Sequence, residues 1–163
     1  MPDGSRAEEI LSELDRLSRA ASSVEDFMWE AVKLLHDGMP RYDWVGFYRL
    51  EKSPVSHPPL LVLGPFHGAK TPHTRIPLNQ GICGAAASTG KTVIGDDVSK
   101  DPRYLAGSTE TNSVIVVPIF VRGKVIGELD IDGSFPAAFS DADLRLVEHC
   151  ACLVGRQLEN IPV

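Results

Sequence analysis

The chain is short of nearly everything that marks a specialised class. It has three cysteines in 163 residues, an odd and small number that makes no disulfide framework and leaves a reducing cytoplasm as the default location. No apolar run approaches the length needed to cross a membrane, and the first residues lack the basic-then-apolar order of a signal peptide. Basic residues are outnumbered, with a formal net charge of −6 and no basic cluster to offset it. That argues against a nucleic-acid or anionic-membrane partner. There is no internal repeat and no low-complexity tract. What remains is ordinary: 43% hydrophobic and 23% charged residues fit one globular domain over residues 1–163, frayed over residues 1–5.

The most informative stretch is 113–132, SVIVVPIFVRGKVIGELDID. Two runs rich in β-branched residues flank Arg122-Gly123, which predicts an antiparallel hairpin. In the second run Glu128, Asp130 and Asp132 fall two apart, so strict alternation aims all three carboxylates at one face. Val125, Gly127, Leu129 and Ile131 take the other face as core. The acidic face meets either water or a polar pocket.

Around this hairpin the periodicity places the other elements. Ile10, Leu14 and Leu17 recur at helical spacing over 6–21, and Val24, Phe27, Ala31, Leu34 and Leu35 trace a second helix that Gly38 and Pro40 stop. The period then changes. YDWVGFYRL (42–50) reads as a strand with Trp44, Gly46, Tyr48 and Leu50 on one face, followed by strands at 60–67 and 74–78. In NQGICGAAASTGK (79–91) the glycines permit a tight turn, and three alanines favour a short helix ended by Gly90. Cys83 stands at its start, where a helix N-terminus lowers a thiol pKa; a small buried thiol is the simpler account. The spacing fits neither a P-loop nor a dinucleotide fingerprint. A brief strand at 92–95 leads into a polar connection with one helical turn around Pro102 to Leu105. Ser140 caps a last helix, with Asp143 completing a capping box, and Cys150 and Cys152 point in different directions along it. Helices flanking a meander of strands predict an antiparallel α+β domain.

This order of elements resembles a GAF domain, whose general features are carried by VVPIFVRGKVIGELDID and by Phe139-Ser140-Asp141. YDWVGFY (42–48), LGPFH (63–67), Arg75-Ile76-Pro77, GICG (81–84), Asn112-Ser113 and LDID (129–132) resemble, more narrowly, the free methionine-(R)-sulfoxide reductases. The resemblance covers residues from about 10 to 160. It implies a PAS-like sheet with the terminal helices on one face and a ligand pocket on the other, and a homodimer paired through those helices. That family reduces the free amino acid's sulfoxide with cysteine thiols, forming a disulfide that thioredoxin reduces, and needs no cofactor. Carried over, Trp44 matches the aromatic wall of the pocket, Asp130 and Asp132 match two of its carboxylates, and Cys83 matches one of three cysteines. Three positions depart. His73 stands where a cysteine is expected, Gly107 or a neighbour where the catalytic cysteine falls, and Val114 in place of a substrate-binding glutamate. Glu128 is the candidate replacement for that glutamate. A plain two-residue turn pairs Ile115 with Asp130 and turns Val114 away, so the family's pocket further requires a bulge, placed at Pro118.

Three readings follow. The first is a sensor-type module binding a free amino acid or similar small molecule through Trp44, Tyr48, Glu128, Asp130 and Asp132. The second is a reductase with Cys83 as its catalytic thiol and an external reductant, the one case in which thioredoxin is a partner. The third is a metal-binding protein using some of His67, His73, Cys83 and the aspartates. The motif of cyclic-nucleotide-binding GAF domains and a lyase-type cysteine site are both absent.

Overall fold

The structure, a computed structural model, describes residues 4–52, 59–104 and 111–160. Two helices open the chain, α1 (Gly4–Ala20) and α2 (Val24–Gly38). The first starts within the stretch expected to fray, and the remainder of that stretch lies outside the described residues. Ser23 caps α2, its hydroxyl accepting from the Asp26 amide at 3.0 Å, and Glu25 and Asp26 face the positive end of the helix dipole. Next come β1 (Trp44–Glu51), β2 (Leu60–His67), β3 (Arg75–Pro77), α3 (Gly81–Thr89) and β4 (Val93–Gly95). After these lie β5 (Ser113–Val121), β6 (Lys124–Gly133) and α4 (Asp141–Glu159).

The six strands form one antiparallel sheet in the order β3-β2-β1-β6-β5-β4. The acidic strand therefore lies at its centre. On one face α1, α2 and α4 bury Leu14, Phe27, Leu35, Leu146 and Val154 against Phe47, Ile115, Leu129 and Ile131. This is the main core, and each large side chain in it contributes roughly 1.5–3 kcal/mol of burial. On the other face α3 covers a thinner layer built on Trp44, Tyr48, Leu61, Ile76, Val114 and Val116. Gly90 ends α3 in the left-handed conformation, at φ 69°, as its position after the alanines predicts.

Arg122 and Gly123 make the tight turn of the hairpin, both at positive φ (50° and 77°), the combination that matches the twist of the flanking strands. Glu159 holds the turn, accepting from the Arg122 amide at 3.0 Å through its side chain and from the guanidinium at 2.8 Å through its carbonyl. The bulge is present but displaced from the expected position. Ile119 pairs with Gly127 while Phe120 pairs with Val125, so Ile126 is the extra residue; Pro118 sits in regular register opposite Glu128. The reason is local. Beyond Val116 no β4 residue pairs with β5, so the amide that Pro118 lacks has no partner to lose there. The bulge also corrects the assignment of faces: Ile126 packs into the main core and Val125 onto the thinner layer.

α4 is anchored by one carboxylate. Asp143 accepts from the Ser140 amide at 2.7 Å and hydroxyl at 2.8 Å, completing the capping box. Its other oxygen accepts from the buried Tyr42 hydroxyl at 2.6 Å, tying the start of the sheet to the last helix. The long connection also differs from expectation. Its helical turn is a 3-10 turn at Val98–Lys100, and Asp101 to Tyr104 form a single turn closed at 3.1 Å. Leu105 and Gly107 lie outside the described residues.

Candidate functional site

Register assembles the site. Trp44, Gly46 and Tyr48 of β1 stand directly opposite Asp132, Asp130 and Glu128 of β6. Across the other edge of β6 stand Val114, Val116 and Pro118. Directly opposed residues project to one face, so the acids form the middle row of a three-strand platform with aromatics on one side and aliphatics on the other. Without the extra residue at Ile126, Val114 would face the helices.

Above the platform is a cavity of about 330 Å³, near the lower end of the roughly 300–1,000 Å³ typical of small-molecule sites. Trp44, Tyr48, Ile76, Val114 and Val116 supply its apolar wall, Asp130 and Asp132 its floor, and Gly81, Ile82 and Cys83 at the start of α3 close it from above. The basic side chains on its lining are Lys70, which is exposed, and His73.

The indole of Trp44 is held on three sides. Its N–H donates to the Ala69 carbonyl at 3.0 Å, and its ring stacks on Phe66 at 5.8 Å. Underneath, a side chain at Gly46 would run into the ring, and Gly68, at φ 130°, would meet it at 2.8 Å. Both glycines are there to make room. Tyr48 donates its hydroxyl to the His73 carbonyl at 2.8 Å, fixing the far wall; burial and the nearby Asp130 charge push its pKa up. Beyond Asp132, Asn112 and Ser113 hold the departing chain. Asn112 donates to the Ser134 carbonyl, and the Ser113 hydroxyl to that of Phe135 at 2.7 Å.

The carboxyls are electrostatically exceptional. Glu128 is fully buried and, among the described residues, neither of its oxygens has a partner at hydrogen-bond distance; burial pushes its pKa up to about 8, opposed in part by the nearby Cys83 thiol. Asp130 is buried with Oδ1 unpartnered, while Oδ2 accepts from the Cys83 thiol at 3.6 Å. Both aspartates are shifted upward, first by burial and then by neighbouring carboxylates: Glu128 for Asp130, and Asp130 for Asp132. Two such groups side by side do not both ionise readily, so they hold a proton between them.

The structure places the remaining candidate residues as follows. Glu128 shares the face of the aspartates but is buried and not on the cavity lining. The thiol of Cys83 is not activated by the helix start, because burial and then the charges of Asp130 and Glu128 raise its pKa well above the ordinary value. Among the described residues, His67 is not gathered with His73, Cys83 and the aspartates. His73 and Cys83 line the cavity, but His67 lies elsewhere, its Nε2 3.7 Å from Asp37 Oδ1. Cys150 is buried on the opposite face of the sheet and Cys152 is exposed. Lys70, Tyr104 and Thr111 also line the cavity; they lie in turns and in the long connection, where no periodicity marks them. Ile76 and Val116 were recoverable from the register alone.

Residues 9–158 match the GAF domain family. A free methionine-R-sulfoxide reductase of Saccharomyces cerevisiae is 38% identical over 83% of this chain and 72% of its own. Among solved structures, the type II free methionine-R-sulfoxide reductase of Thermoplasma acidophilum is 37% identical with a TM-score of 0.77, covering 90% of this chain and 98% of that one. The Neisseria meningitidis enzyme, solved with its substrate, is 31% identical with a TM-score of 0.87, covering 98% of this chain and 92% of that one.

Proposed function

Since the chain belongs to the GAF domain family and is related to the free methionine-(R)-sulfoxide reductases, we propose that it is a sensor-type module. It binds a free amino acid, or a similarly small cationic or zwitterionic molecule, and does not carry the reductases' thiol chemistry. One observation carries this reading: a buried Asp130 oxygen with no partner among the described residues, on the floor of a cavity and beside a second carboxyl. An unsatisfied buried carboxylate is costly. A ligand ammonium against Asp130 and Asp132 relieves that cost, each charge-assisted hydrogen bond contributing about 1.5–3 kcal/mol. Trp44 covers the ligand's apolar part.

Chemistry argues against turnover. Reduction of a sulfoxide oxidises two thiols to a disulfide while the oxygen leaves as water. By the resemblance to the reductases, His73 and Gly107 or a neighbour stand where two of the thiols are needed, and residues 101–112 contain no cysteine. Cys83 and Cys150 lie on opposite faces of the sheet. Thiolate is the attacking species, and Cys83 is held as the thiol. The competing reading, a reductase in which Cys83 attacks and an external thiol resolves, keeps one supporting fact: Cys83 lines the cavity.

Calorimetry with free methionine, methionine sulfoxide and other amino acids, and thioredoxin-coupled NADPH oxidation on the same preparation, separate the two. The expected result is binding weakened about tenfold or more by Asp130→Asn, with turnover at background. Turnover abolished by Cys83→Ser would establish the reductase, and absence of binding to every amino acid would remove the sensor reading.

A further inference from the structure

Away from the cavity, His36 and Asp37 end α2 and His67 ends β2, and three of their side-chain atoms converge. The Nδ1 atom of His36 lies 2.9 Å from Asp37 Oδ1, and His67 Nε2 lies 3.7 Å from the same oxygen. All three ligand atoms fall within 4.8 Å of one another. The imidazoles meet edge to face, with centroids 4.5 Å apart. From these positions we infer a divalent metal site of the zinc class, with His36, Asp37 and His67 as ligands and water in the remaining position.

Ligand spacing supports the inference. Zinc–nitrogen and zinc–oxygen bonds of about 2.0–2.1 Å in a tetrahedron put neighbouring ligand atoms about 3.3 Å apart. The two separations from Asp37, 2.9 and 3.7 Å, bracket that value, and the imidazole nitrogens lie within 4.8 Å of each other, so side-chain adjustment without backbone movement completes the geometry. Two imidazoles and one carboxylate suit zinc, copper or nickel and not magnesium or calcium, which require mostly oxygen ligands. The cluster is part-exposed, with side-chain exposures of 28, 53 and 42% for His36, Asp37 and His67, leaving room for the ion to enter. It also lies at the end of α2, where the negative pole of the helix dipole favours a cation.

The site has a structural consequence. His67 immediately precedes Gly68 and Ala69, which seat the Trp44 indole. A metal bridging His67 to α2 would pin the helix layer to that turn.

The test is calorimetric titration of the tag-free, chelator-treated full chain with zinc chloride. One equivalent should bind with micromolar or tighter affinity, and magnesium and calcium should give no heat. His36→Ala and His67→Ala, both at part-exposed positions, should each weaken binding at least tenfold, with circular dichroism confirming their fold. Cys83→Ser, His73→Ala and Cys152→Ser should leave zinc binding unchanged. Bound zinc should raise the melting temperature of the wild-type chain, and chelator should reverse the rise. Affinity weaker than about 100 µM, zinc binding indifferent to His67→Ala, or binding lost with Cys83→Ser or Cys152→Ser would each overturn the assignment.

Discussion

Replacing Glu128 with glutamine should stabilise the protein at neutral pH and do almost nothing in acid. Glu128 has no exposed surface and, among the described residues, no partner at hydrogen-bond distance for either oxygen; the Cys83 thiol nearby offsets little of the burial, so the Glu128 charge is unfavourable in the folded state. An ordinary glutamate titrates near 4.5; this one titrates at about 8. The sign follows from proton counting. Between those values the unfolded chain has released the proton that the folded chain retains, so stability falls as pH rises through the window. Below about 4.5 both states hold the proton and the cost is absent; above about 8 it is complete. At about 1.36 kcal/mol per pH unit, the cost at pH 7 is about 3 kcal/mol. Glutamine has the shape and neutrality of the protonated acid, so the variant removes this term and little else. Urea denaturation of the ligand-free proteins at pH 4.5 and pH 7 gives the double difference. The variant should gain about 3 kcal/mol more at pH 7 than at pH 4.5, equivalent to a melting-temperature rise of about 6–12 °C in a domain of this size. Equal differences at the two pH values would refute the idea that Glu128 is buried as a protonated, unpartnered acid.

Three further outcomes follow from the same geometry. Gly46→Ala should push the Trp44 ring out of its seat, because the added carbon collides with it; ligand affinity should fall about tenfold or more, with a shift in tryptophan emission. Asp143→Ala leaves the buried Tyr42 hydroxyl and the Ser140 amide unpartnered and should cost about 2–4 kcal/mol in urea denaturation, without changing ligand affinity in the folded fraction. Binding of an amino-acid ammonium should expel the proton shared by Asp130 and Asp132. Affinity should therefore rise with pH through neutrality, and calorimetry in buffers of different ionisation enthalpy should register proton release.

The elements were legible where a local signal decides them. Residues 24–38 form a helix because an apolar stripe lies between Ser23 and Gly38, and β2 runs over 60–67 because β-branched and leucine residues are bounded by turn formers. The capping box at Ser140 and Asp143 needs only two residues at fixed spacing. The site was legible in part for the same reason: alternation alone puts Glu128, Asp130 and Asp132 on one face, and Trp44 with Tyr48 on one face of β1.

Distance across the fold was not legible. Whether an acid on that face meets solvent, ligand or nothing depends on what packs above it, and α3 lands so that Cys83 touches Asp130 while Glu128 is sealed in. The same landing reverses the expected effect on Cys83. The helix start would favour the thiolate, but desolvation in the part-buried site and the charges of two carboxyls outweigh that partial charge. The bulge shows the limit most clearly. A hairpin with two turn residues has one regular register, and nothing in KVIGE announces that Ile126 will be left unpaired. Its necessity came from demanding that Val114 and Asp132 share a pocket, which is a condition on the whole site. The sheet meets that condition at the end of the hairpin nearest the turn, where an extra isoleucine can be absorbed into the helix-side core. The acidic rows nearer the cavity therefore keep an unbroken ladder, and the position of Asp130 opposite Gly46 is fixed by backbone hydrogen bonds rather than by the loops around it.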